Sequence, residues 1–410
     1  MKKSLLTVLL SSSVLLLSAC GGGDGDTSYV ISKPGDDIPL NNITNPVVTV
    51  EDYTKDSMTD AAAISKLMTY KMLGVDGKEV NATALVFTPK TAAPVGGWPI
   101  VVWAHGTTGV ADKCAPSAQG LQGTEALLKL LLAQGYVVVA PDYEGLGSAG
   151  NHPFLNLKSE AFSITDAVVA TRNYLKAQNL AVSDKWVSIG HSQGGHAVLG
   201  AAQYAVRAQL DYKGTVAIAP ASNLALILSV GEAQAAQKPL PEQIGMLAQL
   251  DTYTSLIVAG MQGYKTTVSY SQVFQPDTAK IAPVAEAECG GTVGLALGKG
   301  MQDYAQGPIG MGSLQGYGRT QSKFMEIPVI QEFLEKGSQP GLVKLNQKVI
   351  IYQGEADTTV PSAATDILNG AMQNKGSSVT YISNKTWDHG TVYTQNFSNF
   401  VQDIGGLLNQ

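Results

Sequence analysis

Five residues carry the first chemical signal: Gly190-His191-Ser192-Gln193-Gly194. They follow an apolar run at 185–190 and open an Ala-rich stretch at 193–209. A serine on a sharp turn between strand and helix stands clear of the sheet as a nucleophile, and glycines on either side remove the clashes such a turn creates. A serine nucleophile needs a base, and the base needs an orienting acid, in the chain order Ser, acid, His. Of the five histidines (His105, His152, His191, His196 and His389), only His389 lies late enough in the chain. It stands in the loop-like Trp387-Asp388-His389-Gly390. The acid should follow the preceding apolar run at 348–352, which makes Asp357 the first choice, with Glu355 and Asp388 as substitutes. Two backbone N–H groups must then face the oxyanion. Gln193, directly after the serine, is one candidate donor. Thr107 in His105-Gly106-Thr107-Thr108-Gly109 is the other, and its hydroxyl adds a possible third. His105 reads as a buttress of that loop, and His191 and His196 as packing residues beside the nucleophile.

Such residues must be held by a rigid scaffold, and the middle of the chain supplies one. Apolar runs at 100–104, 136–141, 185–190, 214–220, 348–352 and 379–383 read as strands. Helical patterns at 121–134, 160–178, 193–209, 361–374 and 396–408 fall between or after them. Buried strands alternating with helices predict an α/β domain, with a mainly parallel sheet flanked by helices. Between 221 and 345 the alternation stops. That region is rich in Ala, Leu and Gln, then in Gly from 290 to 318. It reads as an inserted helical cap with a mobile flap containing Met301 and Met311, because a structureless loop of this size is implausible in a compact domain. The resulting division is core over 46–220, cap over 221–345 and core again over 346–410.

Composition narrows the functional class. The 410 residues are 44% hydrophobic and 15% charged, as in a globular protein. Lys and Arg number 27 against 33 Asp and Glu, without a basic patch, so nucleic-acid binding is set aside. Met1-Lys2-Lys3 and the apolar stretch to Leu17 form an export signal over 1–19, ending at Leu17-Ser18-Ala19-Cys20. That ending resembles a bacterial lipobox, which implies acyl chains on Cys20, a flexible tether over 20–45 and attachment to a membrane of the cell envelope, the outer more than the inner. With Cys20 acylated, Cys114 and Cys289 remain as an even pair in an exported protein, and they are expected to form a disulfide. Carboxylates two apart in Asp142-Tyr143-Glu144 read as turn-bonding groups ahead of metal ligands.

Taken together, these motifs resemble the α/β-hydrolases over about 65–405, and more narrowly the secretory lipases. The matching pieces are His105-Gly-Thr-Thr-Gly109 with Cys114-Ala-Pro-Ser117, Val139-Ala-Pro-Asp-Tyr-Glu-Gly-Leu-Gly147, Gly190-His-Ser-Gln-Gly-Gly-His196, Gly354-Glu-Ala-Asp357 with Val360-Pro361, and Asp388-His389-Gly390. The resemblance implies hydrolysis of lipid or other acyl esters by Ser192, Asp357 and His389, an acyl-binding tunnel under the cap, and no metal or cofactor. The cap's apolar content points to a medium to long acyl chain. Three other readings stay open. A peptidase of the same fold would need an acid for the substrate amine, with Glu144, Glu232 and Glu242 available. The others are a polyesterase and a surface binding protein without activity.

Overall fold

The computed structural model describes residues 37–264 and 266–410, so the signal at 1–19 and Cys20 lie outside the described residues. Nine strands form one sheet: β1 (Val47–Asp52), β2 (Ala62–Leu73), β3 (Glu79–Pro89), β4 (Trp98–Ala104), β5 (Val137–Pro141), β6 (Val182–His191), β7 (Asp211–Ile218), β8 (Lys348–Gly354) and β9 (Val379–Asn384). Their spatial order is β1-β2-β3-β5-β4-β6-β7-β8-β9. From β5 to β9 every neighbouring pair is parallel, and β1, β2 and β3 extend that sheet antiparallel. The six parallel strands are those read from the apolar runs. β5 is buried at all five residues and β8 at all but its first, as expected of strands covered on both faces.

Helices cover both faces. Leu157–Ala177 and Gln193–Tyr204 pack on one, and Glu125–Ala133 and Phe397–Leu408 on the other. The predicted helix over 193–209 ends earlier than expected, passing at Ala205–Ala208 into a tighter turn. There Arg207 forms a buried two-pronged ion pair with Asp166 (2.8 and 2.7 Å) and donates to the Pro39 carbonyl at 2.7 Å.

Between β7 and β8 lie the helices Leu224–Ala235, Leu240–Gln262 and Gly290–Gln306, which share an apolar cluster of their own. The Gly-rich start of the expected flap is instead a 17-residue helix, Gly290–Gln306, with Met301 fully buried. Val293, Leu297, Met301 and Ala305 recur every fourth residue and are all buried, which outweighs the helix-weakening glycines. Met311, beyond the helix, is exposed. Among the described residues no helix is long and apolar enough to cross a membrane.

Candidate active site

Strand β4 has β5 on one side and β6 on the other, so the chain changes direction across the sheet there. The crevice beyond the C-terminal ends of strands at such a switch is where ligands of open α/β sheets bind. Ser192 follows β6 at that crevice, with φ 60° and ψ −117°. Its N–H donates to the Ile218 carbonyl at 2.9 Å, and its own carbonyl accepts from His196 at 3.1 Å. The neighbouring glycines are sterically required. A Cβ at Gly190 would lie 2.3 Å from the Gly194 oxygen, and one at Gly194 would lie 1.9 Å from the Ala104 oxygen.

Asp357 sits in the loop after β8 and His389 in the loop after β9. A Cβ at Gly354 would come within 2.2 Å of the Trp387 oxygen, so glycine there lets the two loops close on each other. His389 Nδ1 lies 2.7 Å from Asp357 Oδ2. The other carboxylate oxygen, Oδ1, accepts from the Thr359 and Val360 N–H groups at 2.8 Å each, so the buried carboxylate has no rotational freedom left. Asp388 is exposed and turns back to its own loop, accepting from Gly390 and Thr391. Glu355 accepts from Ser383.

His191 does more than pack. Its Nε2 donates to the His389 carbonyl at 2.8 Å, and its ring lies 4.5 Å from the His389 ring. Burial, with His389 beside it, pushes the His191 pKa down to about 3, so the ring is neutral. The sequence hint was its place beside the serine, but its partner lies 198 residues away.

The Thr107 loop is fixed from beneath. His105 Nδ1 lies 2.6 Å from the Gly106 oxygen, and burial lowers this ring's pKa to about 4. Tyr143, buried at φ 75°, donates its hydroxyl to the His105 carbonyl at 2.9 Å. Asp142 accepts from Thr83 and Ser117, and Glu144 from Val75, Ser159 and Tyr264, so the pair ties distant segments to this loop in place of the expected bonds within its own turn. Burial raises the Asp142 pKa to about 6 against the hydrogen bonds it accepts. From above, Cys114 and Cys289 form a disulfide. Gly290 N–H donates to the Thr108 carbonyl at 2.8 Å, which joins the loop to the Gly290–Gln306 helix. Gln193 opens the helix after Ser192, where an N–H has no partner within the helix.

Three cavities meet here. A vestibule of about 300 Å³ is lined by Ser192, His389, Thr107, His191 and Tyr253. A narrow apolar pocket of about 40 Å³ is lined by Ser192, Gln193, Leu155, Leu228 and Ile257, and His389 is not among its walls. A groove of about 750 Å³ runs between Leu240–Gln262 and Gly290–Gln306 and shares Thr107 and Tyr253 with the vestibule. Among the described residues no group of three or more His, Cys, Asp or Glu could hold a metal ion.

Residues 115–235 match the family model of the secretory lipases. Among solved structures, the rice cell wall degrading esterase LipA from Xanthomonas oryzae, in a ligand-bound form, is similar at a TM-score of 0.64 and 20% identity, over 89% of this chain and 98% of that one. Candida antarctica lipase A in its closed state is similar at a TM-score of 0.67 and 17% identity, over 89% of this chain and 82% of that one. The chain has the α/β-hydrolase fold. No curated protein matches its sequence. The family match and the fold together support carboxylic-ester hydrolysis. The match also suggests export, with which the disulfide is consistent.

Proposed function

We propose that this α/β-hydrolase is a serine esterase or lipase with Ser192 as nucleophile, His389 as base and Asp357 as the orienting acid. The observation that carries this reading is the strained Ser192 turn opening into the same vestibule as the hydrogen-bonded His389–Asp357 pair. Ser192 Oγ attacks the ester carbonyl as His389 Nε2 takes its proton. The tetrahedral oxyanion is met by the N–H groups of Gln193 and Thr107, each worth about 2.7–4 kcal/mol in such a hole. His389 then protonates the departing alcohol, leaving an acyl-Ser192 that water hydrolyses by the same steps.

This sequence of events assigns the two sides of the crevice. The alcohol must leave beside His389, so it occupies the vestibule, and the groove beyond has room for an extended alcohol portion. The acyl group then lies in the narrow pocket, which supports short acyl chains over the medium to long ones that the composition of the cap, residues 221–345, pointed to. The groove also favours a large or polymeric alcohol part, which keeps the polyesterase reading as second. Peptidase chemistry has less support. Glu144 is held by Val75, Ser159 and Tyr264, Glu232 by Arg319, Glu242 lies 3.7 Å from Lys238, and none lines a Ser192 cavity.

A panel of p-nitrophenyl esters from acetate to palmitate, run beside aminoacyl p-nitroanilides, tests this reading. The expected result is highest kcat/KM at the shortest chains, a shift toward longer chains in Ile257→Ala, and no anilide cleavage. A flat profile or a palmitate optimum would overturn the acyl-side assignment, and anilide cleavage would bring back the peptidase. The 1–19 signal, Cys20 and the 20–45 tether support attachment to the bacterial envelope through acyl chains. Fatty-acid labelling that survives in Cys20→Ser would refute that attachment.

A further inference from the structure

One residue beyond the nucleophile, Gln193 contacts a second carboxylate–histidine pair that the mechanism above does not use. Glu160, on the Leu157–Ala177 helix, is fully buried. Its Oε2 accepts from His196 Nδ1 at 2.6 Å, and its Oε1 accepts from Gln193 Nε2 at 2.8 Å and Leu155 N–H at 3.1 Å. His196, also fully buried, points its other nitrogen at the Ser338 carbonyl, 2.8 Å away. Both its ring nitrogens thus face acceptors, a carboxylate and a carbonyl. Gln193 is tied a second time, to His152 Nε2 at 2.8 Å, and His152 Nδ1 in turn donates to the Glu144 carbonyl at 2.9 Å. Burial alone would raise the Glu160 pKa, but His196 and His152 overcome it and hold the carboxyl at about 2.

Gln193 connects this pair to the chemistry. Its side chain is 1% exposed and points into the network, while its backbone N–H stands at the free start of the helix beside Ser192. The peptide between Ser192 and Gln193 follows a residue at positive φ, a conformation that persists only where the surroundings over-determine it. We propose that Glu160, hydrogen-bonded to His196, is a positioning residue for ester hydrolysis, anchoring the Gln193 side chain so that the Gln193 N–H stays aimed at the oxyanion. The proposal rests on the serine-esterase reading. Glu160 touches neither substrate nor nucleophile and acts through the orientation of one peptide group. An oxyanion donor stabilises the transition state more than the bound ester, so its misplacement is felt in kcat while KM is left nearly unchanged.

The test is a double-mutant cycle of Glu160→Gln and Gln193→Leu in the full chain. The second variant keeps the backbone N–H and removes only the side-chain anchor. The p-nitrophenol burst counts working sites, so that kcat is expressed per working site and partial unfolding drops out. Each single variant is expected to lower kcat by about 10–100-fold with KM nearly unchanged. The double variant should be no worse than the worse single, because both break one chain of contacts. Additive losses would overturn the proposal, as would a kcat per working site equal to that of the parent with only thermal stability reduced. Should Glu160→Gln fail to fold, Gln193→Leu decides alone: an unchanged kcat refutes the role, and the expected loss sustains it. Absence of ester turnover in the parent, or its retention in Ser192→Ala, would instead sink the esterase reading.

Discussion

Replacing Ser192 with alanine is expected to reduce ester turnover by a factor on the order of 10⁶ without changing the fold. Only Oγ is removed. The bonds that build the turn, Ser192 N–H to Ile218 and the Ser192 carbonyl to His196 and Ala221, are all backbone bonds and survive the change. Alanine pays the same cost for φ 60° as serine does, so the melting temperature should move little. A residual rate about 10³–10⁴ above water should remain, because the oxyanion donors still act on a bound ester attacked directly by water. Burst and steady-state assays on the purified variant, with melting followed in parallel, measure this. Turnover within tenfold of the parent would mean that the nucleophile is elsewhere.

The second large effect is expected for Asp357→Asn, at about 10⁴ in kcat. The geometry gives the reason. The Thr359 and Val360 N–H groups both donate to Oδ1, so the amide oxygen of asparagine takes that place and its NH₂ faces His389. His389 Nδ1 must then accept, which moves the ring proton to Nε2 and leaves no base facing Ser192. Binding surfaces are untouched, so KM should hold while kcat falls. A fall of less than about tenfold would show that Asp357 does not set the tautomer, and would return Asp388 and Glu355 to consideration.

Much of this arrangement was legible because it is local. The apolar runs at 100–104, 136–141 and 185–190 are too continuous to be anything but covered strands, and the Ser192 turn has its glycines written beside it. Strands β1, β2 and β3 were harder to see. β2 is half-exposed along much of its length, so its apolar positions are diluted by polar ones and no continuous run marks it. In Gly290–Gln306, five glycines masked the four-residue spacing of Val293, Leu297, Met301 and Ala305, where burial against the neighbouring helices decides the conformation. The Glu160–His196–Gln193 contacts were illegible for another reason. They join residues up to 36 positions apart on two helices, and nothing in either segment names its partner.

The disulfide makes the near end of the Gly290–Gln306 helix a fulcrum. Cys289 caps that helix, and Cys114 follows the Thr107 loop, so neither moves far without the other. A lever fixed at one end sweeps mainly at the other. The helix has 17 residues and so is about 25 Å long, and a 10° swing would displace its Gln306 end by about 4 Å and its Thr108 end by almost nothing. Any such swing would change the groove at its outer reach and leave the peptide groups around Thr107 in place.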